Sequence, residues 1–264
     1  MKKVVLILTA AVFATSLVAC KNDKSPEITG EIPEDQSIIA NEDIALADIS
    51  EVNEEQYMYV TAPSGLSLRE FNNLQSERMA RMPYGTKVKI VKAEEKATMN
   101  VAGIKGGMDE VEFNHKKGFA FNGYLSKYFP PERDITPKGY ADELKRFFPE
   151  VVYTTETAGT ASNPINTEAI LLPGAEWHEA FITAQRLFDF PKEFAFPNPK
   201  GKDTETIFDG KPKKGVWVSQ LEVTREDNKL QKIEYVYGSK KYDSKVTIIN
   251  EGDAMKISKT EEIK

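Results

Sequence analysis

The sequence has one cysteine, two histidines and two tryptophans in 264 residues. A single thiol excludes an intramolecular disulfide. With no second cysteine, no Cys-His pair and no His-x-x-x-His spacing, the usual zinc ligand sets are missing as well. His115 sits in a charged run beside Lys116 and Lys117, and His178 follows Trp177. Both read as surface or packing residues, and no metal or cofactor is expected. Gly-x-Ser-x-Gly, Gly-x-x-x-x-Gly-Lys-Ser/Thr and Gly-x-Gly-x-x-Gly do not occur, so the chain offers no nucleophile elbow, phosphate loop or dinucleotide turn. Glu176 and Glu179 can be read as paired carboxylates. Their place in a helix first turn, where acidic groups complement the dipole, explains them without chemistry. Asp227-Asn228 lacks the alternating oxygen ligands and distal glutamate of a calcium loop. Past the N-terminus there is no run of 18 apolar residues to span a membrane. A clustered basic face, which nucleic acid needs, is also missing. No catalytic residues are expected.

What is present begins with an address. Lys2 and Lys3 precede an apolar run from Val4 to about Phe13, and Leu17-Val18-Ala19-Cys20 follows. The run is roughly 10 residues, against roughly 20 for a spanning helix. Basic start, short apolar run and small residues are the parts of a secretory signal. Ending on cysteine, the segment resembles the lipobox of bacterial lipoproteins. That resemblance implies a signal peptide over 1–19, cleavage before Cys20, and palmitate-type acylation of that thiol. The chain would then be anchored to a membrane of the cell envelope, inner or outer, with its folded part outside the cytoplasm. The alternative is an ordinary secretory signal containing a cysteine, which would leave a free thiol in an oxidising compartment. Acyl chains contribute ~0.8 kcal/mol per buried methylene, so two or more hold firmly.

Residues 21–56 carry 11 acidic and two basic side chains. The chain's net charge is −6, so the acidity belongs to this segment and the rest is near neutral. Low hydrophobicity with like charge predicts a disordered tether over 20–56.

From 57 to 131 the pattern has period two. Tyr57, Tyr59 and Thr61 alternate, Leu66 and Leu68 share a face, and Val88 and Ile90 share another. Val101 to Gly107 reads as a loop. Val111 and Phe113 form a strand, Lys116-Lys117-Gly118 a tight turn, and Phe119 and Phe121 a further strand. Short strands with regular turns predict a small barrel. Gly65-Leu66-Ser67-Leu68-Arg69, then Pro83-Tyr84-Gly85-Thr86-Lys87-Val88, then Gly118-Phe119-Ala120-Phe121-Asn122-Gly123-Tyr124-Leu125 resemble, in order, three motifs of bacterial SH3 domains. The sequence departs from that family at Met108-Asp109, where a tryptophan is common, and at Phe71-Asn72-Asn73, where Gly-Pro is common. The resemblance implies a binding module for cell-wall peptides or a protein, with Arg69, Tyr84 and Tyr124 as candidate groove residues. Aromatics offer contact area at little rotamer cost, and arginine can pair with a carboxylate in two places. The structural alternative is that Tyr124 packs the last turn and Arg69 is a solvated strand residue.

Residues 135–264 match no named family and predict an α+β domain. Tyr140, Leu144 and Phe147 or Phe148 share a helix face ended by Pro149. Val151–Thr155 and Ile165–Leu172 read as strands. Trp177, Phe181, Ala184 and Phe188 define the clearest helix. The proline-rich stretch from Phe190 to Gly201 is expected to run extended over the surface. Trp217, Leu221 and Val223, then Ile233, Tyr235 and Tyr237, then Val246 and Ile248, then Met255 and Ile257 predict an antiparallel meander covered by the Trp177 helix. The expected whole is mixed β and α+β: an SH3-like barrel followed by an antiparallel sheet with one or two helices. The expected role is a non-catalytic envelope lipoprotein that binds peptidoglycan or an envelope protein, with no nucleic acid. The alternatives are an accessory or weak hydrolase of wall glycans, or a structural subunit of an envelope assembly.

Overall fold

The computed structural model describes residues 56–210 and 213–264. Cys20, the signal segment and the tether lie outside the described residues. The described residues belong to one compact unit, and within it two antiparallel sheets enclose two apolar cores. The chain is mixed β and α+β.

The first sheet is built from β1 (Tyr57–Val60), β2 (Leu66–Arg69), β3 (Arg78–Met82), β4 (Lys87–Lys92), β7 (Met108–Phe113), β8 (Lys116–Phe121) and β9 (Leu125–Ser126). Their order is β3-β2-β8-β7-β4-β1-β9. β5 (Met99–Val101) and β6 (Ile104–Gly106) make a separate hairpin. Period-two alternation turns Val60, Leu68, Met82, Val88, Val111 and Ala120 into one core, each at most 1% exposed. Gly118 lets β2 cross close over β8, because a Cβ there would lie 2.6 Å from the Arg69 carbonyl oxygen.

Two turns differ from the sequence expectation. The β7–β8 turn is Asn114-His115, both at positive φ, and Lys116-Lys117-Gly118 already belongs to β8. Asparagine tolerates this left-handed region, and its pairing with His115 twists correctly for a two-residue hairpin. Residues 101–107 are not a loop: Ala102 and Gly103, again both at positive φ, close the β5–β6 hairpin. Three-residue strands carry too little periodicity to be read from sequence.

The second sheet has order β10-β11-β16-β15-β14-β13-β12. Its strands are β10 (Val152–Gly159), β11 (Pro164–Pro173), β12 (Thr204–Phe208), β13 (Val216–Glu226), β14 (Lys229–Ser239), β15 (Tyr242–Glu251) and β16 (Ala254–Ile263). Every pairing is antiparallel. Two helices accompany it, α1 (Pro137–Leu144) and α2 (Trp177–Leu187). Pro137 opens α1 and Thr136 caps it by accepting from the Gly139 N–H at 3.0 Å. α2 lays Phe181 and Ala184 against Ile170, Leu221, Ile233, Ile248 and Ile257, all buried.

Two expectations for this half change. The stretch from Phe190 is irregular and largely exposed, but it is pinned to the core by its aromatic side chains. It buries Phe190 and Phe194, and Phe190 packs on Phe181 at 4.9 Å and stacks on Tyr235 at 5.3 Å. Trp217 does not share the inner face with Leu221 and Val223. A register shift between Val216 and Val218 turns it outward, 57% exposed.

Candidate functional site

The two cores meet along a seam that starts at the end of the first sheet. Tyr128 Oη donates to the Pro173 carbonyl at 2.6 Å, Tyr140 Oη to the Phe129 carbonyl at 2.8 Å, and Tyr84 Oη to the Pro131 carbonyl at 3.2 Å. Tyr59 meets Phe129 edge-on at 5.9 Å. Phe196 packs against both cores. The Gly103 turn approaches Pro199, whose Cδ would be 3.4 Å from an added Cβ.

A cleft of about 1020 Å³ opens along this seam. The β5–β6 hairpin, the Asn122–Tyr124 3-10 turn and Lys127 line one side. The first turn of α2, Phe196, Lys200 and the β13–β14 turn line the other. Glu176 is the N-cap of α2. Its carboxylate accepts from the N3 backbone, and Glu179 reaches back to accept from the Glu176 N–H at 2.6 Å. Glu179 also accepts from the Ser126 hydroxyl, which ties α2 to β9. Burial raises the Glu179 carboxyl pKa above the usual carboxylate value, while these hydrogen bonds and Lys127 oppose that rise. Neighbouring His178 hydrogen-bonds the Gly123 backbone and meets Phe196 edge-on at 6.2 Å. Burial lowers its pKa from 6.5 to about 4. Perturbed groups facing a cleft mark a functional candidate, although here each also holds the seam together.

His178 makes folding pH-dependent. The folded chain keeps it neutral down to about pH 4, whereas an exposed histidine protonates near 6.5. Its contribution is therefore lost as pH falls from about 6.5 toward 4. The melting temperature of the native protein should fall more steeply over that range than that of a His178→Gln variant. Glu179 is common to both, so its opposite dependence cancels in the comparison. Parallel curves would show that His178 is not held neutral by the fold.

The structure does not gather Arg69, Tyr84 and Tyr124 into one groove. Arg69 turns back on its own loop, with Nη1 donating to the Ser76 carbonyl at 2.6 Å. Tyr84 belongs to the seam: Arg186 of α2 lies over its ring at 4.3 Å, and burial pushes its hydroxyl pKa up to about 12. Tyr124 packs edge-on against Phe121 at 5.8 Å, and burial raises its pKa also. The packing alternative for Tyr124 describes its position, while Arg69 is a clamp on the residue 70–77 turn. Asp109 is buried and accepts from the Glu94 N–H and the Asn122 amide, both at 2.8 Å. The Asn122 amide oxygen in turn accepts from the Gly107 N–H at 2.8 Å.

Sequence reasoning did not find the cleft. Its lining comes from residues as distant as Lys105 and Asn250, which no single local motif joins. His178 and the two glutamates were visible, but not what they face. A second concavity, about 700 Å³, lies at the β12 edge between Phe196 and Phe208. Among the described residues no three His, Cys, Asp or Glu side chains group to hold a metal, and no helix is long and apolar enough to cross a membrane. Comparison of the chain with protein-family models, with curated proteins and with solved structures finds no match in any of the three.

Proposed function

We propose that the chain is a bacterial envelope lipoprotein, anchored through acylated Cys20, whose folded part is a non-catalytic binding module for cell wall or for an envelope protein. The observation that carries this reading is the sharing of one sheet and one core by the three SH3-like motifs. Leu66–Arg69 of the first motif is β2, Lys87 and Val88 of the second open β4, and Gly118–Phe121 of the third completes β8. Leu68, Val88 and Phe121 from the three motifs are buried together. An SH3-like barrel is the arrangement this order of motifs implies. The near-neutral folded part suits contact with a polar polymer or protein better than nucleic acid. The acidic stretch ahead of it would hold it away from an anionic surface.

Two measurements test this. In cells fed an alkyne-tagged palmitate analogue, the wild-type chain should take up label and a Cys20→Ser variant none. Label that persists in the variant would remove the anchor. Purified protein in detergent should co-sediment with isolated peptidoglycan, or retain an envelope protein after crosslinking. Failure of both would leave the module without a ligand and overturn the reading.

One observation favours the second reading, a weak wall hydrolase: Glu176 and Glu179 both line the cleft, and burial raises the Glu179 carboxyl pKa. A Glu179→Gln variant separates the two. As a binding module, neither protein should release soluble glycan from wall; release by the wild type that the variant loses supports the hydrolase.

A further inference from the structure

We infer that the cleft between the two cores, rather than a groove on the first sheet, is the ligand site, and that it takes a short acidic peptide. This rests on the binding-module reading and names its site and ligand chemistry. Lys105 lines the cleft on the first core's side, Lys200 and Lys229 on the second; Lys127 lines it as well, with its ammonium over the Tyr128 ring at 4.9 Å. Among the described residues none of the four forms an ion pair. The carboxylates of the same cleft are already committed: Glu176 and Glu179 close the capping box of α2, and Glu179 also holds Ser126. These two carboxylates keep their charge, but with four lysines in the same lining the cleft is net positive, with lysines on both walls, which suits a molecule with several separated acid groups.

Phosphate recognition fits less well. A phosphate favours the bare N–H groups of a helix start or the fork of an arginine. Here the start of α2 is closed by its own glutamates, and the one buried arginine near the cleft, Arg225, is fully occupied. Lysines on flexible stems suit dispersed carboxylates. Gln231 and Asn250, also in the lining, can donate to and accept from peptide bonds. Trp177 gives an aromatic surface at the cleft wall. The volume lies at the upper end of the usual range for small-ligand clefts, about 300–1,000 Å³.

Trp177 also reports on the site. The other tryptophan, Trp217, sits on the outer face of the second sheet, so a Trp217→Phe protein leaves one indole, in the cleft. In that background the full chain in detergent is titrated with a wall stem tetrapeptide bearing free carboxylates, its amidated form, an oligoglutamate of equal length, and a neutral N-acetylglucosamine oligomer. Saturable change of Trp177 emission is expected with the free-acid peptides. It should be at least ~10-fold weaker in a Lys105→Glu/Lys229→Glu protein, two lost attractions having become repulsions. It should be unchanged in Lys116→Glu, a lysine outside the cleft. Binding of oligoglutamate without the stem peptide keeps the acidic-peptide chemistry and assigns its source to a protein partner. Equal binding by the charge-reversed protein, or preference for the amidated peptide or the sugar, overturns the proposal. If the charge-reversed protein still pellets with wall as the wild type does, the site lies elsewhere and the binding module stands. If the wild type neither pellets nor captures an envelope protein, that reading itself fails.

Discussion

Replacing Arg225 by alanine is expected to cost about 3 kcal/mol, a large loss for a side chain in what reads as an ordinary hairpin turn. The sequence Arg225-Glu226-Asp227-Asn228-Lys229 suggests a solvated connection, and Asp227 and Asn228 do form its positive-φ tip. Arg225 itself is 3% exposed. Its Nε and Nη2 donate to the Asn198 carbonyl at 3.0 and 2.8 Å, Nη1 donates to the Lys202 carbonyl at 2.9 Å, and Nη2 pairs with Glu205 at 2.8 Å. One guanidinium thus holds the irregular segment 198–203 and the start of β12 against β13. Gly201 passes its plane, with an added Cβ only 3.4 Å from Cζ.

Alanine would leave these carbonyls without donors and open space where the stem packs. A lysine could reach one carbonyl but cannot reproduce the fork, so Arg225→Lys should recover less than half of the loss. The free energy is read from urea unfolding. At this size a 3 kcal/mol change also lowers the melting temperature by about 6–12 °C. A change below about 0.5 kcal/mol in Arg225→Ala would mean that the segment is held by its phenylalanines instead. Limited proteolysis near Lys200 and Lys202 gives an independent readout, since release of the segment should speed cleavage there.

A second large effect is expected at Phe181, where truncation to alanine should cost about 3–5 kcal/mol. The ring is 1% exposed and packs edge-on against Phe190 at 4.9 Å and Phe196 at 5.6 Å. The consequence is not confined to the second core. Phe196 touches both cores and meets His178, so a cavity beneath it should loosen the seam and the cleft. Phe181→Ala and Phe196→Ala should therefore be non-additive, with a coupling of at least about 0.5 kcal/mol in a double-mutant cycle. Trp177, one residue from His178, should shift its emission in Phe181→Ala before global unfolding. Additive losses and an unmoved Trp177 spectrum would show that the two cores respond independently.

These two sites mark where the sequence could be read and where it could not. The alternations Leu66/Leu68, Val88/Ile90, Ile233/Tyr235 and Val246/Ile248 were legible because a strand puts every second side chain on one face. The α2 face through Phe181, Ala184 and Phe188 was legible because its 3.6-residue period is sustained for three turns. Pro137 and Pro173 bounded their elements, since proline lacks the N–H that continued pairing requires. The short β3, β5, β6 and β12 were not legible, nor was the turn at Asn114-His115, which two positive-φ residues decide.

Sequence alone also determined the N-terminal pattern, with the charge, apolar run and cysteine in order, and the confinement of acidity to residues 21–56. Both are properties of composition along the chain, and no folding is needed to express them. Tertiary structure decided everything that joins distant residues. It turned Trp217 outward through a one-residue register shift, drew Phe190, Phe194 and Phe196 inward from a segment with no period, and placed Arg225 under a loop some 25 residues earlier. It also gave Arg69, Tyr84 and Tyr124, which a shared motif family had suggested as one groove, three different sets of neighbours. In their place it brought Lys105, Lys127, Lys200 and Lys229 to a single cleft. Local periodicity reports which face of an element is apolar; which elements that face then meets depends on packing between cores, and no window of sequence contains it.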